Sequence, residues 1–221
     1  RLRIAMTVKP PVETEVAGPC LAATREAADL LASLGHEVVE VEAPGGEGQL
    51  APLFLAAFGA SIAGVVRTGA IVTEREPSPE LVEPLTWAIY EAAQRLTSID
   101  YIGAVMLLQN FARGFIQWLS QYDVLLTPSL AQLPLPIGTY DLGSSDVGEW
   151  GRTAEFTPYT AVANLTGLPA ISLPLAQSDE GLPVGVHLLG GPAREDVLLA
   201  LGTQLERERD WAERRAPLAE S

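Results

Sequence analysis

One lysine, two histidines and one cysteine among 221 residues remove several kinds of chemistry. A Ser-His-Asp hydrolase needs a histidine base, which here must be His36 or His187. His36 follows the helix-ending Gly35 and His187 lies inside the apolar run 184–189, so both read as structural. A lysine base has to be partly desolvated and within reach of its serine. Lys9 precedes Pro10 and Pro11 in what reads as an exposed turn, so it is expected to be a solvated surface residue. Ser144 and Ser145 follow Gly143, but that alone does not make either a nucleophile. No catalytic residue is assigned.

Other scarcities exclude partners. Lys and Arg number 14 against 28 Asp and Glu, and the net charge of −14 argues against nucleic acid, whose phosphates need clustered cations. No His, Cys, Asp or Glu cluster has ligand spacing. Glu74 with Glu76, and Asp179 with Glu180, read as solvated turn residues, so no metal is expected. No Walker loop or Gly-x-Gly-x-x-Gly follows a strand, and no cofactor is expected. Apolar runs read as interrupted by Gly, Pro or charge short of the roughly 20 residues that span a bilayer, which predicts no transmembrane helix and no membrane partner. Cys20 alone closes no internal bridge, which fits a reducing compartment, and the cytoplasm is the expected location. The start, Arg1-Leu-Arg-Ile-Ala-Met, enters a strand pattern without an initiator Met. A beginning inside a longer polypeptide is the expectation.

What is present is a globular core: 48% of residues are hydrophobic and 19% charged. Patterning predicts strands at 2–8, 36–41, 122–128, 170–175 and 184–189, the last two joined as a hairpin. Helices are predicted at 19–34, 49–66, 79–97, 98–119, 157–166 and 194–209, with Pro19 in a first turn, Gly35 and Gly167 as stops, and Thr97-Ser98 as a cap. Gly45-Gly46-Glu47-Gly48 reads as a flexible joint, 129–150 as an irregular loop, and the charged tail past Trp211 as fraying. The fold class is α/β, a mixed β-sheet flanked by helices.

The distinctive stretch is Glu155-Phe-Thr-Pro-Tyr-Thr-Ala-Val-Ala-Asn-Leu-Thr-Gly-Leu-Pro-Ala-Ile-Ser-Leu-Pro-Leu, followed by Gly181-Leu-Pro-Val-Gly-Val-His-Leu-Leu-Gly. It closely resembles the C-terminal motif of the amidase signature family, which includes bacterial amidases and cyclic nylon-oligomer hydrolases. Tyr122-Asp-Val-Leu-Leu-Thr-Pro-Ser and Leu34-Gly-His-Glu-Val are similar to further recurring pieces of that family. The resemblance implies that 1–221 is a C-terminal portion of an amidase-signature domain, with 49–119 a helical substrate-channel insertion and 120–210 the core motif region. It also implies amide hydrolysis through an acyl-enzyme, with a Ser nucleophile, a second Ser in a cis peptide and a Lys base in an N-terminal half that is absent here. That half, as a separate chain or missing segment, is the expected partner, together with a small amide substrate. Family likeness points to Ala154, Phe156, Thr157 and Ala161 as substrate-binding residues, and to Trp87, Met106, Phe111 and Trp118 as further wall. Core packing is the competing reading for each. For the whole chain, the competing reading is a non-catalytic binding or scaffold module derived from the same fold.

Overall fold

The computed structural model describes residues 1–45, 50–141, 143–211 and 213–214, with the backbone alone for Glu149 and Trp150. Of the predicted joint only Gly45 is described, and of the tail past Trp211 only residues 213–214, so those expectations fall outside the described residues.

Strands β1 (Arg3–Met6), β2 (Glu37–Glu40), β3 (Val124–Pro128), β4 (Ala170–Gln177) and β5 (Pro183–Gly190) form one sheet in the order β2-β1-β3-β5-β4. The β1 pairings to β2 and β3 are parallel, while β5 runs antiparallel to both β3 and β4. The sheet is therefore mixed and, with helices packed on it, confirms the α/β class. Parallel neighbours need crossovers, and α1 (Gly18–Ser33) supplies the one from β1 to β2. Pro19 sits in its first turn, and Gly35, at φ +90, makes the exit that an L-residue would resist.

Alternation along the strands sends side chains to two faces. Ile4, Met6, Val124, Leu126, Val186 and Leu188 pack with Ala23, Ala27 and Leu31 of α1 and with Leu198, Leu201 and Leu205 of α7 (Glu195–Glu208). Ala5, Leu125 and Leu189 join the second core instead, with Phe115, Leu119 and Val162. Phe115 and Leu119 belong to the helix Ser98–Leu119, and Val162 to the six-residue helix Ala161–Thr166. His36 ties the N-terminal edge together: its Nδ1 accepts the Leu2 N–H at 3.1 Å and its Nε2 lies 2.9 Å from Gln204 Oε1.

Between β2 and β3 come α2 (Leu50–Thr73), α3 (Pro84–Ala93) and α4 (Ser98–Leu119). A capping box starts α4, in which Asp100 N–H donates to Thr97 Oγ1 while the Asp100 carboxylate accepts the Thr97 N–H. The Thr97 hydroxyl also donates to that carboxylate at 2.7 Å, and this bond first, then the Thr97 N–H, holds the Asp100 carboxyl below its ordinary pKa. The expectation that no apolar run reaches membrane-spanning length fails at α2, which runs 24 residues with Arg67 as its one charged residue. Gly59, Gly64 and Gly69 do not break this helix, because its neighbours α3 and α4 support it. Length and apolarity of this degree belong equally to a helix covered by lipid and to one covered by protein.

After β3, the described parts of 129–146 are irregular, then α5 (Val147–Phe156) and α6 (Ala161–Thr166) lead to β4. The first four residues of α5 fall in the stretch predicted as irregular loop, 129–150, and its remainder, 151–156, carries no sequence-based assignment. The helix predicted over 157–166 begins four residues later, and Gly167, at φ +69, closes it as expected.

Candidate functional site

A cavity of about 680 Å³ opens where β1 and β3 end, within the size range of small-molecule sites. Its floor is the second face of the sheet. Register explains its composition, because Thr127 pairs with His187, and His187 in turn pairs with Ser172. Thr7 extends β1 beside Thr127, with its N–H donating to Leu126 O at 3.0 Å. Thr7, Thr127 and His187 thus form a polar row across three strands, next to the apolar row Ala5, Leu125 and Leu189. Phe115 of α4, Val162 of α6 and Tyr159 close the space above. Segments 10–14 and 42–45 form the rest of the wall.

The polar groups are fixed by neighbours. Thr127 Oγ1 donates to Pro128 O at 2.9 Å and lies 3.3 Å from His187 Nδ1. A hydroxyl has one proton, so the Thr127 oxygen accepts from His187, which places the imidazole proton on Nδ1. Burial pushes the His187 pKa down to about 4, so the ring is neutral at ordinary pH. Tyr159 donates its hydroxyl to Val8 O at 2.6 Å. Burial, with a smaller contribution from nearby Cys20, raises the pKa of that phenol and keeps it protonated. Two residues further along the same strands, the Ser129 hydroxyl meets that of Ser172 at 2.6 Å over Gly185. A Cβ there would lie 2.8 Å from Ser129 Oγ, so glycine is what lets the two hydroxyls meet.

Lys9 stands at the cavity mouth, with Nζ 3.7 Å from Glu42 Oε1 and a side chain 69% exposed. It is solvated, as the two following prolines suggest, and lacks the desolvation a general base requires. Among the described lining residues there is no serine. Ser144 instead serves a turn: its Oγ accepts the Asp146 N–H, and the Asp146 carboxylate accepts the Gly148 N–H to start α5. Among the described residues, no group of three or more His, Cys, Asp and Glu gathers as a metal site.

The four residues assigned from family likeness lie together at one corner. Ala154 and Phe156 are on α5, Thr157 is its C-cap, and Ala161 opens α6; all four are half-buried. The Phe156 ring packs edge-on against Tyr140, and Thr157 donates its hydroxyl to Thr153 O. None of the four is among the described lining of the large cavity, whereas their chain neighbours Tyr159 and Val162 are. Of the proposed aromatic wall, Phe111 and Trp118 pack around Phe115 at 5.9 and 5.4 Å, Trp87 packs on Tyr90, and Met106 is exposed. Phe115, which sequence reasoning did not single out, is the aromatic that reaches the cavity. His187 is paired as a structural histidine would be, yet it also borders the cavity, which only the strand register reveals.

The family model described as Amidase matches residues 1–199. The putative amidase AmiC of Mycobacterium tuberculosis is 34% identical over 218 residues, covering 98% of this chain and 45% of the relative. The 6-aminohexanoate-cyclic-dimer hydrolase of Paenarthrobacter ureafaciens is 31% identical over 229 residues, covering 98% of this chain and 46% of that protein. A solved 6-aminohexanoate cyclic dimer hydrolase, complexed with substrate, superposes with a TM-score of 0.90 at 27% identity, covering 98% of this chain and 47% of the other. The chain thus spans about half the length of the curated relatives it matches. With its mixed sheet, its helical segment before β3 and its helix-to-hairpin motif, the chain belongs to the amidase family and has the fold of the amidase signature enzymes.

Proposed function

We propose that this chain is the C-terminal, substrate-pocket half of a serine amidase that hydrolyses carboxylic amide bonds. One observation supports the reading above others: an amidase fold with a ligand-sized cavity whose described lining offers neither a serine nor a desolvated lysine. The nucleophile and its base then come from an N-terminal half, as family likeness implies. The serine oxygen bonds to the amide carbonyl carbon, the C–N bond breaks, and the amine leaves with the proton that the base took from serine. Water then cleaves the acyl ester, releasing the acid and restoring the serine.

In this division of labour the present residues hold and select the substrate. Ala154, Phe156, Thr157 and Ala161 border the acyl side, with Ala161 leaving room for a chain and Phe156 supplying an apolar surface. The helices α2 to α4 form the wall of the channel. Relatives named for the 6-aminohexanoate cyclic dimer make linear or cyclic amides the substrate class to try first. A buried lone Cys20, its thiol pKa raised by burial, is compatible with a reducing compartment such as the cytoplasm.

An arylamide assay tests the proposal. The 221-residue chain alone is expected to give no turnover above background, and addition of the N-terminal half is expected to restore it. Robust turnover by the chain alone overturns the reading.

A further inference from the structure

Within the cavity, two polar groups are buried but only partly used. Thr7 is 4% exposed; its oxygen accepts the Lys9 N–H at 3.2 Å, and its own proton has no acceptor among the described residues. His187 is 5% exposed; its Nδ1 proton goes to Thr127, and its Nε2 has no partner among the described residues. An unmade hydrogen bond on a buried polar atom costs on the order of the group's desolvation, so such atoms are ordinarily satisfied by protein, water or ligand. Here the two sit in one row on the cavity floor, separated by Thr127. One is a spare donor and the other a bare acceptor, and the neighbouring row is apolar.

We propose that the Thr7–Thr127–His187 row is a specificity subsite that reads an uncharged amide, with His187 Nε2 accepting the amide N–H and the Thr7 hydroxyl donating to the amide oxygen. A tertiary amide has no N–H to give and is disfavoured. A carboxylate is disfavoured too, because it would set an anion against the Nε2 lone pair. Thr127 is a positioning residue: by donating to Pro128 O it fixes the imidazole proton on Nδ1 and leaves Nε2 bare. The amide class rests on the proposed amidase activity, while the donor and acceptor assignment rests on geometry alone.

The test uses the polypeptide that carries this chain at its native length, labelled with ¹⁵N-histidine. The probes are hexane-1-sulfonamide, a neutral N–H donor that resists acyl transfer, and its N,N-dimethyl counterpart. The first is expected to move the His187 Nε2 resonance saturably and to bind about tenfold more tightly than the second, the worth of roughly one hydrogen bond. His187→Gln keeps an acceptor and should keep the preference. His187→Leu should abolish it, and Thr127→Val, which removes the acceptor that holds the imidazole proton on Nδ1, should weaken it; an undiminished preference in Thr127→Val overturns the positioning role. Equal binding of the two probes, or an Nε2 signal that hexane-1-sulfonamide leaves in place, overturns the subsite. Arylamide hydrolysis measured on the same preparations separates the two claims. Turnover without an Nε2 response removes the subsite alone, and an Nε2 response without turnover supports the subsite while removing the amidase reading.

Discussion

The sheet and the helical segment are both rich in apolar residues, but they are covered very differently. On the sheet, Ile4, Leu126 and Leu188 have no exposed surface, enclosed by α1 and α7. On the helical segment, Val65 of α2 is 72% exposed, Ile71 is 78%, and Ile99 of α4 is 82%. Burial of a large apolar side chain is worth about 1.5–3 kcal/mol, so the same residue types stabilise the sheet region far more than the helical one. The exposed apolar residues of the helical segment, Val65, Ile71 and Val72 on α2 and Ile99, Ile102, Met106 and Leu107 on α4, are more numerous than those of the sheet and its covering helices. Membrane-like length in α2 is one face of the same fact.

The largest test of this contrast is truncation in each region. Leu126→Ala, at a fully buried site, should cost about 2–5 kcal/mol in chemical denaturation. Ile71→Ala should stay within about 0.5 kcal/mol. A comparable loss at Ile71 would show that the helices are already covered and would remove the contrast.

Acid gives the next effect. The folded His187 pKa of about 4 lies below the ordinary 6.5, so the unfolded chain binds the extra proton first. Stability from this group is present in full above pH 6.5 and is lost as the pH falls toward 4, by at most about 3 kcal/mol. Denaturation midpoints across that window should fall for the native chain, and the His187→Gln profile should be flatter. Parallel profiles would mean that His187 is not buried as described.

Gly185→Ala comes third, at about 1–3 kcal/mol, because the added methyl meets Ser129 Oγ. Ser129→Ala in the same chain should return part of that loss, a coupling measurable in a double-mutant cycle. Thr97→Ala should cost least, about 1 kcal/mol, by removing the exposed cap of α4.

Much of the architecture was legible in the sequence for identifiable reasons. The β3 run is apolar at Val124, Leu125 and Leu126 because both faces are covered, and Gly35 and Gly167 mark helix ends because they adopt positive φ. The α5 helix was not legible, since Gly148 and Gly151 within it carry poor helix propensity, and its start depends on the Asp146 side chain accepting Gly148 N–H. The extent of α2 was misjudged because its glycines read as breaks, although packing against α3 and α4 carries the helix through. The family was legible from the motif set. The floor of the cavity was not, because Thr7, Thr127 and His187 are far apart in sequence and meet only through strand register. Family likeness led to the α5–α6 corner, beside that floor rather than on it.

The central claim is that the substrate-side half lacks the nucleophile. A serine-directed fluorophosphonate applied to the native-length polypeptide, followed by peptide mass mapping, tests it most directly. The account predicts that the activity-abolishing adduct falls outside residues 1–221, and an adduct on any serine of this chain that tracks loss of activity would contradict it.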